Sequence, residues 1–292
     1  MLERVLALTM LAGTLAGASP AAADVAPEVF PEHEGTTEVT DGGAGLFQSA
    51  CTFSHRATDD PIVFPNQPGM AHSHDFIGNR RTDAHSTYDG MVGNPSTCDR
   101  FGATAAYWFP TLSNDGVRIK PGVTLVYYRT GALRDQEGIK PIPADLKIIA
   151  GSASSTGPQD MRILNWACSG PGPERDLDHV PASCSGEPLR LHFSFPNCWD
   201  GERLDSRDHQ SHMAYAWAGD DDRRECPRSH PVALPTLEFS TRWRIDGPLD
   251  GVRLASGSPN TAHADFWNTW VQSEMERLTA ECIVAGRVCS RN

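Results

Sequence analysis

The segment Gly69-Met70-Ala71-His72-Ser73-His74-Asp75-Phe76 sets two imidazoles at positions i and i+2. In an extended chain such residues point to one side, because side chains alternate with a period of two. Two imidazoles so placed form half of a common zinc or copper site. Asp75 stands where a carboxylate would orient one of the rings. A pair of ordinary hydrogen-bonded loop histidines has the same spacing, so the motif alone does not decide between them.

A second group is Asn197-Cys198-Trp199-Asp200-Gly201, followed by Asp205, Asp208, His209, His212 and Tyr215. His209 and His212, three apart, share a face if their turn is helical. Asp200-Gly201 and the Ser-Arg-Asp run also read as plain turn formers. His230 precedes Pro231, which holds it extended. His263 and Asp265 lie in His263-Ala264-Asp265-Phe266-Trp267, where Asp265 also fits the N-terminal end of a helix, favoured by the helix dipole. His85 is a weaker candidate.

The candidate catalytic set is therefore His72, His74, Asp75, Asp200, Asp208, His209, His212, Tyr215, His263 and Asp265. The candidate metal set is His72, His74, His209, His212 and His230, with His263 as an alternative to His230, for a divalent ion, copper or zinc. His72, His74, His209 and His212 are expected to face one cleft, with Asp200, Asp208 and Asp265 beside them. There is no H-E-x-x-H, no G-x-S-x-G and no glycine-rich phosphate loop, which argues against zincin proteases, α/β-hydrolases and nucleotide enzymes.

The elements that must hold these residues read as strands. Leu237, Phe239, Thr241, Trp243 and Ile245 alternate with polar neighbours, the pattern of a half-buried strand. Leu189 to Phe195 does the same. Residues 123–129, 103–109, 146–150 and 161–166 are further strands, rich in β-branched or aromatic residues. The fold class expected is mostly β, a β-sandwich or barrel-like pair of antiparallel sheets. Phe266, Trp267, Trp270, Val271, Met275 and Leu278 fall at helical spacing and predict one C-terminal amphipathic helix at roughly 263–281, its tryptophans in the core. Residues 59–102, 196–235 and 250–265 hold most of the His and Asp and are expected to be long ordered loops.

Residues 1–23 have a short charged start, an apolar run and an Ala-Ala-Ala site, which predicts a secretory signal peptide. Residues 24–45 read as a flexible lead-in, and 46–292 as a single β-rich domain. Eight cysteines, Cys51, Cys98, Cys168, Cys184, Cys198, Cys226, Cys282 and Cys289, suit structural disulfides in a secreted, extracellular protein. Eight thiols admit about 105 pairings. The short loops favour Cys282–Cys289 and Cys168–Cys184; of the three pairings open to the other four thiols, Cys51–Cys98 with Cys198–Cys226 is taken as a guess. A net charge of −12 argues against nucleic acid as a partner, and no later segment is long and apolar enough for a membrane span.

His72–Asn79 (HSHDFIGN), Ala105–Leu112 (AAYWFPTL), Phe195–Gly201 (FPNCWDG), Asp208–Tyr215 (DHQSHMAY), Cys226–Pro235 (CPRSHPVALP) and His263–Trp270 (HADFWNTW) occur in this order. Together they resemble the secreted bacterial and fungal family called domain of unknown function 1996, over about residues 50–282. The resemblance implies no established reaction; it points towards extracellular or cell-wall polysaccharide as a partner. Three functions follow as expectations. One is an enzyme acting on polysaccharide, a hydrolase with paired carboxyls or a lyase with a His or Tyr base. The others are a non-enzymatic copper or zinc protein and a wall-associated binding or structural protein.

Overall fold

The structure, a computed structural model, describes residues 45–131, 133, 135–170, 175–216 and 224–289. The expected signal peptide and all of the lead-in but Gly45 lie outside the described residues.

The strand with the clearest alternation, Thr236–Trp243, lies inside a six-stranded sheet. Across that sheet the order is Val288–Cys289, Leu46–Cys51, Thr124–Arg129, Thr236–Trp243, Leu189–Ser194 and Leu164–Cys168. All neighbours are antiparallel except the first pair. Phe239 sits opposite Phe193 on one side and Val126 on the other, so three strands contribute one apolar row. Burying such a row is what selects the register, because a slip of one residue would turn it to solvent.

A second, five-stranded antiparallel sheet runs Phe53–Ala57, His74–Gly78, Ala106–Pro110, His263–Trp267 and Lys147–Gly151. Its inner face packs on the first sheet through Tyr107 and Phe109, whose rings lie 6.3 and 5.8 Å from that of Phe239. The architecture is the expected sandwich. The outer face of this sheet carries a smaller core of Ile62, Phe76, Met91, Ala106, Trp108 and Trp267. The short helix Tyr88–Met91 and the turn after Asp60 supply Met91 and Ile62 to it. Three strands of this sheet are buried along their whole length, as happens when both faces are covered.

Two expectations change here. Helix is predicted over 263–281, but His263–Trp267 is a strand, and the α-helix spans only Gln272–Leu278 before a π-helical turn over Thr279–Val284. The helical spacing arises because Phe266 and Trp267 enter cores on opposite faces of the sheet, while Trp270, Met275 and Leu278 join the main core. Asp265 therefore stands mid-strand and caps no helix. The stretches expected as loops are also partly strand. They contain His74–Gly78 and a small ribbon of Cys198–Trp199, Met213–Ala214 and Val232–Ala233.

Four disulfides join Cys51–Cys98, Cys168–Cys184, Cys198–Cys226 and Cys282–Cys289: the two pairs favoured by their short loops and the two guessed for the other thiols. No cysteine among the described residues is free.

One consequence of the sheet is a pH dependence of stability. His192 faces outward beside Ser240, its Nδ1 2.9 Å from the Ser240 hydroxyl. Burial, then Arg190 and Arg129, push its pKa down to about 4, against a smaller pull from Asp176. Between the unfolded value near 6.5 and that level the unfolded chain holds the extra proton, so stability falls as pH drops through this window. The loss reaches about 3 kcal/mol for this one group. Melting temperatures at pH 7.5 and 4.5 should differ less in a His192→Gln variant than in the parent. An equal or larger difference would contradict this assignment.

Candidate metal centre

The site forms on the outer face of the five-stranded sheet because alternation puts His74, Phe76, His263, Asp265 and Trp267 on that side. In the register, Asp265 lies beside Trp108, which lies beside Phe76. One two-residue step further, His74 lies beside Pro110, and the same step along the other strand brings His263 to the far side of Pro110. Proline has no N–H to extend the ladder, so this end of the sheet opens between the two rings. His72, in the loop leading into His74, closes the group. Ring centroids are 4.2 Å apart for His72 and His74, 5.0 Å for His72 and His263 and 5.8 Å for His74 and His263.

The orientation of two rings follows from their partners. His74 Nδ1 lies 2.9 Å from the Asp59 carbonyl and His263 Nδ1 2.9 Å from the Thr261 carbonyl. A carbonyl only accepts, so each Nδ1 carries the proton and donates it, and each Nε2 keeps its lone pair. Backbone partners of this kind also hold metal-ligating histidines in place. His74 Nε2 and His72 Nε2 are buried and have no hydrogen-bond partner. One ligand atom from each of His72, His74 and His263 lies within 4.8 Å of the others.

A second donor group shares His74. Asp60, His74 and Asp265 also bring ligand atoms within 4.8 Å of one another. Asp265 is 1 % exposed, and neither of its oxygens has a hydrogen-bond partner. Asp60 Oδ1 accepts from the backbone N–H groups of Ile62 and Val63, which ties the turn over the sheet to this floor. Trp108 Nε1 is buried without a partner within bonding distance, yet it leans close enough to ease the charge on Asp60.

Burial governs the electrostatics. It pushes His74 well down, aided by His72 and His263 and opposed by the bond to Asp59. It pushes His263 down to about 4, opposed by the bond to Thr261 and aided by His72, and it lowers His72 as well. Neutral imidazoles are the ligating form. Burial pushes Asp265 well up, with the Asp60 charge adding to it. Asp60 rises through burial too, against the pull of the Val63 and Ile62 N–H groups, His209 and Trp108.

The other candidates have different surroundings. Asp75 lies between His74 and Phe76 in the strand and faces the opposite side of the sheet. Its oxygens accept from Arg56 Nε at 2.6 Å and Thr111 Oγ1 at 3.0 Å, so the carbonyl of Asp59, not Asp75, orients His74. His212 has both nitrogens engaged, Nδ1 with Ser206 Oγ and Nε2 with the Lys147 carbonyl at 2.7 Å. Together with Gln210, which donates to the Gly151 carbonyl, it clamps its loop on the edge strand next to His263. His209 Nδ1 pairs with Asp205 at 2.9 Å and lies near enough to Asp60 to lower its pKa. The second motif thus reaches the same sheet, but among the described residues it adds no ligand atom to either donor group.

Asp200 accepts from the Glu202 and Arg203 N–H groups and pairs with Arg203 at 2.7 Å. Asp208 accepts from Ser206 Oγ and the Gln210 and Ser211 N–H groups. Both have the partners of turn residues. His230 Nδ1 meets Ser229 Oγ and its Nε2 meets the Ser211 carbonyl. Tyr215 donates to the Ser194 carbonyl and lines a separate cavity of about 310 Å³ with Arg162, Arg224 and Glu238. Asp60 belongs to none of the His-containing motifs of the sequence. Its signal was the pair Asp59-Asp60 before Pro61, where one residue supplies the carbonyl for His74 and the other a donor oxygen.

The family model described as a domain of unknown function (DUF1996) matches residues 60–270, a span that holds Asp60, His72, His74, His263 and Asp265. Neither a curated protein nor a solved structure matches the chain.

Proposed function

The chain belongs to the DUF1996 family, whose description names no reaction, and from the site we propose a metal-binding protein with its ion on His72, His74 and His263. The carrying observation is that one ligand nitrogen from each of three imidazoles lies within 4.8 Å of the others, and two of these rings have an Nε2 that is buried without a hydrogen-bond partner. Leaving such groups without partners costs about 1–3 kcal/mol each, and a cation removes that cost. Three imidazoles suit zinc or copper above magnesium or calcium, which prefer oxygen ligands. The buried carboxyls Asp60 and Asp265, grouped with His74, are held towards the neutral acid in the metal-free protein and would ionise to supply counter-charge once a cation is bound. Three protein ligands leave a further position for water or a substrate, and His72, half-buried, marks the side from which it is reached. Bound there, the ion would act as a Lewis acid or, as copper, as a redox centre.

Four disulfides suit an oxidising compartment, and among the described residues no helix is long and apolar enough to cross a membrane. We therefore place the protein outside the cell. A hydrolase with paired carboxyls has less support. Asp75, Asp200 and Asp208 are committed to other partners, and Asp265 is too buried to reach a polymer.

Chelator-stripped protein should take up about one zinc or copper ion per chain and ignore magnesium, as measured by elemental analysis after dialysis. A content near zero for both transition metals would remove this function.

A further inference from the structure

A cavity of about 640 Å³ opens at the other edge of the same sheet, against the Phe53–Ala57 strand. Its walls include Phe53, His55, Arg80, Arg81, Asp83 and His85. This volume is that of a small-molecule site.

The walls are held from within. Buried Asn79 donates to the Met91 and Thr104 carbonyls and accepts from the Arg81 N–H, which fixes the backbone beneath both arginines. His55 stacks on Phe76, with ring centroids 4.6 Å apart and planes at 4°. Its Nε2 donates to the Thr82 carbonyl, and Ser54 Oγ lies 2.9 Å from its Nδ1. Asp83 Oδ1 accepts from the His85 N–H and, more distantly, from Ser86 Oγ.

The guanidiniums are different. Arg80 makes one long bond, from Nε to the Ser96 carbonyl at 3.3 Å. Arg81 has no side-chain hydrogen bond, and neither arginine has an ion pair, among the described residues. In a chain of net charge −12, two adjacent exposed cations on a rigid wall concentrate positive charge where carboxylates are otherwise in excess. The planar donor fork of arginine matches a carboxylate better than a lysine would. Asp83, also in the lining, repels a bare anion but accepts hydrogen bonds from hydroxyls, and Phe53 offers an apolar wall.

We infer that this cavity binds a small hydroxylated carboxylate, its anion on Arg80 and Arg81 and its hydroxyls towards Asp83. The inference is independent of the metal centre. Titration calorimetry of the mature chain with gluconate, sorbitol and inorganic phosphate tests it. Gluconate should bind at one per chain, at least about tenfold tighter than sorbitol, which has the same carbon skeleton but no anion. Arg81→Ala, a change at an exposed side chain, should weaken gluconate at least about tenfold while leaving metal uptake and melting unchanged. Arg81→Lys should restore part of the loss. Gluconate no tighter than sorbitol, phosphate as tight as gluconate, or an unaffected Arg81→Ala variant would each overturn the inference.

Discussion

Replacing His74 by Ala should lower zinc or copper affinity by well over a hundredfold. Loss of a residue that merely orients a ligand costs about 10–100-fold, and His74 offers a ligand atom to both donor groups. The change also removes the Nδ1–H bond to the Asp59 carbonyl, at about 1–3 kcal/mol of stability, so affinity is compared on variant protein that its melting curve shows to be folded. His212→Asn provides the contrast. His212 is equally buried, but both its nitrogens hold a loop. Its loss should cost about 1–3 kcal/mol of stability and leave metal affinity within about tenfold. Calorimetric metal titrations and melting curves on both variants separate the roles. Equal metal affinity in the parent and His74→Ala would show that the imidazole cluster is not the binding site.

A second large effect is expected at Asp265, with opposite signs for stability and binding. The metal-free protein carries a carboxyl with both oxygens buried and unbonded, in a strand between Trp108 and Ile149. Asp265→Val replaces it with an apolar, β-branched side chain suited to a strand. Removing a buried group without partners should stabilise the metal-free protein by about 1–3 kcal/mol. The same change removes the counter-charge beside His74 and should weaken metal binding at least about tenfold. Denaturant melts without metal give the first quantity and metal titration the second. A less stable metal-free variant would mean that the carboxyl supports the fold by itself.

The fold was legible where one face of a strand is wet. Thr236–Trp243 and Leu189–Ser194 alternate and were found within a residue or two. His74–Gly78 and His263–Trp267 are buried on both faces, so their sequences carry no period of two, and the latter passed for the start of a helix. Much of the site was hidden for that reason. His72 and His74 stood out as a pair, but their partner His263 lies about 190 residues further on, in a strand that only the sheet topology brings alongside. His209 and His212 looked equal to them in sequence. What separates them is the hydrogen-bond partners of their ring nitrogens, Asp205 for His209, and Ser206 with the Lys147 carbonyl of the edge strand for His212. Asp75 shows the same limit from the other direction, since the alternation that unites His72 and His74 turns the residue after His74 to the opposite face.

The most direct test is X-ray absorption at the metal edge on the parent protein reconstituted with one equivalent of zinc or copper. The ion should show imidazole scattering from three nitrogens at about 2.0–2.1 Å for zinc, falling to two in His263→Ala. A first shell of oxygens alone, or an imidazole count unchanged in His263→Ala, would contradict the three-histidine centre.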